Sequence, residues 1–182
     1  MQFTKTNIQD VFIIDPQVFG DERGYFFESF NQKQFEEHVG KIDFIQDNES
    51  KSSKGVLRGL HFQKPPFTQS KLLRCIEGEV LDVVVDLRKE SPTYKQYLSV
   101  VLSGDNKKQI FVPRGFAHGF LVLSDKATIA YKVDNYYAPD YDSGIAWNDE
   151  DIAVDWGVSI DDVQLSGKDK ELKPLSQTRN PF

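Results

Sequence analysis

The chain has 182 residues, enough for one well-cored domain, and no linker or break in composition argues for a second. Its 22 Lys and Arg against 28 Asp and Glu leave a formal charge of -6, the wrong sign for a protein that holds nucleic acid by its phosphates. The opening MQFTKTNIQDV has no basic stretch followed by an apolar one, and no apolar run approaches the ~20 residues of a membrane span, so a soluble cytoplasmic protein without a membrane partner is expected.

Short runs rich in β-branched and aromatic residues, broken every eight to twelve or so positions by turn residues, predict an all-β sandwich or barrel. In chain order the strands are Tyr25 to Phe30, Val56 to Phe62, Lys71 to Ile76, Val80 to Leu87, Tyr97 to Leu102, Gln109 to Val112, Phe116 to Leu123 and Thr128 to Val133. Glu77-Gly78, Ser91-Pro92, Ser103-Gly104-Asp105-Asn106 and Pro113-Arg114-Gly115 are turn signals between them. One helix is predicted, Gln32 to Val39, capped by Asn31 and ended by Gly40; a second helical turn is expected near Asp161 to Val163. Residues 134 to 145 carry no clear element. Within LDVVVDLR, alternation puts Leu81, Val83, Val85 and Leu87 on one face and Asp82, Val84 and Asp86 on the other. The acidic face lines either a polar lumen or solvent. No glycine-rich nucleotide loop is present, so no bound redox cofactor is expected. The lone cysteine, Cys75, cannot form an intrachain disulfide and reads as a small buried hydrophobe.

Three histidines make a short list of general bases. His38, on the polar helix, reads as a surface residue. His61 lies in GVLRGLHFQ and, taken alone, reads better as a structural histidine than as a catalytic one. Arg58 precedes it by three positions, so regular pleating would part them, whereas a bulge at Gly59 would turn both to one face. His118 sits in PRGFAHGF, which has the Pro-x-Gly-x-x-His spacing of half a cupin metal site. The other half needs two histidines one residue apart and a carboxylate, but the corresponding stretch is His61-Phe62-Gln63, so no metal is expected. Lys107 and Lys108 read as solvated surface charges. Arg58 and Lys71 interrupt apolar strands, where a charge needs a partner such as a diphosphate or a polarised carbonyl. Tyr131, in ATIAYKV, fits packing and catalysis about equally.

Taken together, GDERGYFFESF, the long stretch from IQDNES through RGLHFQ and QSKLLR to KESPTY, VPRGFAHGFLVLS, YKVDNYYAPDYDSGIAWND and LSGKDK resemble the dTDP-4-dehydrorhamnose 3,5-epimerase family over nearly the whole chain. The resemblance implies a cupin-type jelly roll, or double-stranded β-barrel, with one or two short helices. It also implies a metal-free homodimeric enzyme without cofactor, acting on a dTDP-4-keto-6-deoxyhexose on the way to dTDP-L-rhamnose. By position, His61 matches the family's base, Asp169 its carboxylate partner, Tyr131 the proton-donating tyrosine and Lys71 the lysine beside the keto oxygen. Arg23, Phe26, Glu28, Gln46, Asn48, Arg58, His118 and Lys168 match substrate contacts. Asp142 falls where a glutamate is common, and Asp82 belongs to the polar network beside His61. Relatives that invert a single carbon share this scaffold. A non-catalytic sugar-nucleotide binding module would keep Arg58 but would not need His61, Asp169 and Tyr131 together.

Overall fold

The computed structural model describes residues 1–182, and its body is two antiparallel sheets packed face to face. The strands are β1 (Gln2–Lys5), β2 (Phe12–Asp15), β3 (Phe19–Asp21), β4 (Gly24–Phe26), β5 (Gln46–Ser53), β6 (Leu57–Gln63), β7 (Lys71–Glu77), β8 (Glu79–Asp86), β9 (Tyr97–Ser103), β10 (Gln109–Val112), β11 (Phe116–Val122), β12 (Lys126–Val133) and β13 (Asp142–Gly144). A six-stranded sheet runs β1-β2-β10-β7-β12-β5 and a five-stranded one β13-β6-β11-β8-β9, while β3 and β4 form a separate hairpin. This is the all-β jelly roll that the resemblance implies.

The central strands of each sheet are buried on both faces, which is why strands such as FAHGFLV carry so little polar alternation. Between the sheets lies a cluster that includes Leu73, Val80, Val84, Leu102, Ile110, Phe120 and Ile129. The outer face of the five-stranded sheet, through Leu57, Leu60, Val83, Val85 and Leu121, packs under Ile145, Ile152, Trp156 and Leu175 of the C-terminal segment. On the outer face of the six-stranded sheet, Phe12, Ile14, Leu72 and Phe111 are covered by Phe35 of helix α1 (Gln32–His38). The LDVVVDLR split follows these layers: Val83, Val85 and Leu87 face the C-terminal segment, and Val84 faces the space between the sheets. Both acids are fully buried, so the solvent reading of that face is corrected. Asp86 is held by Arg88 at 2.8 Å, Ser91 at 2.6 Å and Thr93 at 2.7 Å.

Helix α1 is capped as expected, Asn31 accepting from the Gln34 amide at 3.1 Å. His38 is exposed and stacks on Phe3, and Cys75 is buried. The expected helical turn is a 3-10 turn over Ile160–Asp162. Two expectations need correction. The strand read over Tyr25 to Phe30 stops at Phe26, because β4 pairs only with β3, outside both sheets, and Phe30 turns away to pack on Phe35 and Phe44. Lys107 and Lys108 are half-buried and partnered: Lys108 pairs with Asp15 at 2.8 Å, and Lys107 lies 4.1 Å from the Tyr25 ring centroid. Residues 134 to 145 form a 3-10 turn, Pro139–Tyr141, followed by β13, which pairs with β6. The polar strand QDNESKSS (β5) escaped sequence reading, since its alternate half-burial comes from Gln, Asn and Ser.

Candidate active site

Strand β6 carries the first two site residues. Arg58 is opposite Phe120 on β11 while His61 is opposite His118, so three steps along β6 match two along β11. The extra residue is the bulge expected at Gly59, whose φ is +136°. A Cβ there would come within 2.6 Å of the Gly119 Cα, so only glycine lets the strands approach this closely. The bulge lets Arg58 and His61 line one cavity of about 430 Å³ between the sheets, shared with Lys71, His118, Tyr131, Lys168 and Asp169. His61 and His118 come from the five-stranded sheet, Lys71 and Tyr131 from the six-stranded one.

Half-buried His61 meets buried Asp169 at 2.5 Å through Nε2. Asp169 lies in the first turn of the short helix α2 (Gly167–Glu171), and Ser166 caps that helix while donating to Asp169 Oδ2 at 2.6 Å. Burial pushes the Asp169 carboxyl up, but hydrogen bonds from His61 and Ser166 outweigh it and hold the group below its ordinary value. Asp169 is therefore ionised at neutral pH. With Nε2 engaged, Nδ1 is the His61 nitrogen left free to take a proton.

Lys71 keeps some contact with the open cavity, yet protein packs densely round its ammonium. Burial pulls it down to about 8, opposed by the charges of Asp82 and Asp142. Tyr131 is pushed up by burial, with the nearby Arg58 charge pulling the other way, so the phenol stays protonated. His118 donates through Nε2 to Asp82 Oδ2 at 2.9 Å. Lys168 pairs with Asp142, which also accepts from the Tyr137 hydroxyl at 3.1 Å.

Not every expected residue is gathered here. Asp82 stands behind His118, and Asp142 bounds the site through Lys168. Gln46 and Asn48 are hydrogen-bonded to each other at 2.8 Å on β5; Asn48 is in register with Tyr131 but neither lines the cavity. Arg23, Phe26 and Glu28 are a clear departure. Arg23 and Phe26 lie on the exposed β3–β4 hairpin, where Arg23 is spent on Asp21, and Glu28 follows it, near the Asn31 amide; none lines the cavity of its own chain. Ser166 was missed, although Ser166-x-x-Asp169 is a readable capping pattern. Phe62 and Gln63, at the cupin motif's ligand positions, are otherwise engaged: Phe62 packs on Phe182, and Gln63 donates to the Phe67 and Tyr136 carbonyls. No group of three or more His, Cys, Asp or Glu side chains converges.

A jelly roll whose lumen holds a histidine–carboxylate pair, a protonated tyrosine and a buried lysine is an enzyme scaffold built for moving protons beside a carbonyl. The chain belongs to the dTDP-4-dehydrorhamnose 3,5-epimerase family, whose sequence profile matches residues 5–177. It is 56% identical over 172 residues to the dTDP-4-dehydrorhamnose 3,5-epimerase of Shigella flexneri, covering 92% of this chain and 95% of the relative. The crystal structure of dTDP-4-dehydrorhamnose 3,5-epimerase from Elizabethkingia anophelis superposes with a TM-score of 0.94 at 49% identity, covering 99% of this chain and 98% of that one. A dTDP-6-deoxy-D-glucose-3,5-epimerase from Legionella pneumophila, solved in complex with dTDP-4-keto-L-rhamnose, gives 0.93 at 48% identity, covering 97% and 93%.

Proposed function

We propose that this enzyme inverts C3 and C5 of dTDP-4-dehydro-6-deoxy-D-glucose to give dTDP-4-dehydro-L-rhamnose, with His61 as base and Tyr131 as acid. The observation that carries the reading is the His61–Asp169 contact of 2.5 Å in a cavity whose other wall presents Tyr131 and Lys71. A proton on C3 or C5 is acidic because the C4 ketone accepts the resulting charge as an enolate. His61 Nδ1 removes that proton while ionised Asp169 orients the ring and stabilises its positive charge. Lys71 donates to the enolate oxygen, in a cavity where little water competes. Tyr131 then delivers a proton from the opposite sheet, so the carbon is reprotonated on its other face. Each inversion leaves His61 protonated and Tyr131 deprotonated, so His61 returns its proton to solvent and Tyr131 takes one from solvent before the next. Oxidation state is unchanged, and no step calls for a metal or redox cofactor. Arg58 and Lys168 supply positive charge for the diphosphate.

The reading includes a homodimer. Phe19, Tyr25 and Phe26 expose 57%, 60% and 69% of their surface on the β3–β4 hairpin, a large apolar outlay for a small free element. In a homodimer this hairpin reaches the other subunit's cavity, which gives Arg23, Phe26 and Glu28 a nucleotide to hold. A solution mass of two chains supports this, and a monomer of full activity overturns it. The reading also places the enzyme in the cytoplasm, in keeping with a lone cysteine that is buried and unpaired.

Incubation with dTDP-4-dehydro-6-deoxy-D-glucose in deuterated water, followed by NMR, tests the activity. Deuterium at C3 and C5 supports the double inversion, label at C3 alone reduces the enzyme to a single epimerase, and no label removes the catalytic reading.

A further inference from the structure

Gln63 ends the RGLHFQ segment and has no task in the proposed reaction. Phe62 packs into the outer cluster, so pleating turns Gln63 to the same side of β6 as His61. It is buried, and both its amide hydrogens and its carbonyl oxygen are used: Nε2 donates to the Phe67 carbonyl at 2.6 Å and the Tyr136 carbonyl at 3.1 Å, while Oε1 accepts from the Ala138 amide at 2.7 Å. These partners lie on two loops, residues 64–70 and 134–138, that have no strand pairing of their own. Irregular backbone of this kind keeps one shape only as far as its neighbours hold it. The other ties between the loops come from half-buried groups: Gln69 donates to the Asn135 carbonyl at 2.8 Å, and the Asn135 side chain donates to the Pro66 and Thr68 carbonyls at 3.4 Å. Gln63 is the buried side chain that binds both loops at once.

What the second loop carries gives this anchor its consequence. Tyr137 lies between the Gln63 partners Tyr136 and Ala138, and its hydroxyl donates to Asp142 Oδ2. Asp142 opens β13 directly opposite Gln63 and pairs through the same oxygen with Lys168, which lines the cavity. Contacts therefore run without a break from Gln63 to a cation of the active site. We propose that Gln63 is a positioning residue for substrate capture: by holding the backbone on either side of Tyr137 it fixes Tyr137 and Asp142, and through them the place where the Lys168 ammonium meets the diphosphate. This deepens the proposed function and rests on its reading of Lys168. The base is anchored separately, since Asp169 is held by the Gly59 amide and Ser166, so Gln63 governs binding and leaves proton transfer alone.

The test is Gln63→Met in the full-length protein, close in length and unable to make the three bonds. A loop that then takes its binding shape about one time in ten raises KM for the nucleotide sugar about tenfold, while kcat stays within about twofold. The dissociation constant of dTDP alone, measured by calorimetry, rises by about the same factor and involves no chemistry. Unmoved KM and dTDP affinity overturn the proposal, even where the melting temperature falls, and so does a fall in kcat at constant KM. Should the variant fold poorly, the parent protein still decides. Hydrogen exchange followed by NMR is expected to show the Ala138 amide protected roughly 10²-fold, although it follows two exposed tyrosines, and saturating dTDP slows it further because a ligand stabilises the loop it needs ordered. Fast exchange at Ala138, or exchange indifferent to dTDP, overturns the proposal. A parent enzyme that binds dTDP yet labels no sugar carbon in deuterated water overturns the proposed reaction instead, and the dTDP measurements still decide the role of Gln63.

Discussion

Two histidines opposite one another in the β6–β11 register each hold a buried aspartate, yet the two pairs are built differently. His61 is half-buried and takes its carboxylate from α2, a short helix outside the sheets. His118 is buried and takes its carboxylate from the adjacent strand of the same sheet. Asp169 has both oxygens occupied and Asp82 has one empty. Under the proposed function the first pair orients a base toward substrate, while the second fixes the His118 ring in the cavity wall. An identical pair of residue types thus differs by where its carboxylate is anchored.

The contrast is sharpest under truncation of the two rings. His61→Ala is expected to abolish exchange of the C3 and C5 protons with deuterated solvent and to lower kcat about 10³-fold or more, whereas His118→Asn costs only about tenfold. Equal losses in steady-state assays of the two variants break the comparison. Asp169→Asn, which keeps the shape but loses the charge that steadies protonated His61, lowers kcat about 10²-fold with little change in KM. Tyr131→Phe is next: NMR is expected to show continued deuterium incorporation with little inverted product, since removal of a proton does not need the acid on the far side. Full turnover by that variant transfers the acid role elsewhere.

The pH profile separates the walls more gently. With Lys71 donating to the enolate oxygen as proposed, burial that pulls it down to about 8 makes kcat/KM fall as pH rises through that value, while the need for an unprotonated His61 makes it fall again in acid. Ser166→Ala is the smallest change. It removes the α2 cap, at about 1 kcal/mol of stability, and lets the Asp169 carboxyl rise toward its ordinary value. Because the folded-state pKa of Asp169 is depressed, its stabilising contribution is present above the ordinary carboxylate range and lost as pH falls through the folded value. Acid unfolding of Ser166→Ala followed by circular dichroism should therefore begin at slightly higher pH than that of the parent.

Much of this was readable beforehand, and for identifiable reasons. Strands β6 to β12 announce themselves because layers on both sides demand apolar residues nearly throughout. The bulge was legible because a glycine between Arg58 and His61 is the simplest way to bring both to one face. Strand β5 was not, since its half-buried positions are Gln46, Asn48, Ser50 and Ser52, residue types that usually mark loops. The hairpin misled in the other direction. Its aromatic residues suggest a long strand, but without a sheet to join it ends after three residues. Contacts distant in sequence were the least accessible: nothing local to Arg23 or Phe26 says which cavity they serve, and Asp169 reached the list only through the resemblance.

The 2.5 Å contact between His61 and Asp169 joins residues 108 positions apart, and α2 is tethered by a segment that must itself settle over the five-stranded sheet. Closing so long a loop is slow compared with forming hairpins. The barrel's own pairings, such as Ile14 with Gln109, close loops of comparable length, so the sheets and the His61–Asp169 contact are all slow to form. The contact needs in addition a tail docked on the five-stranded sheet. Recovery of turnover is accordingly a stricter clock for completion of the native state than recovery of β structure, and the lag between the two measures how long the tail takes to dock.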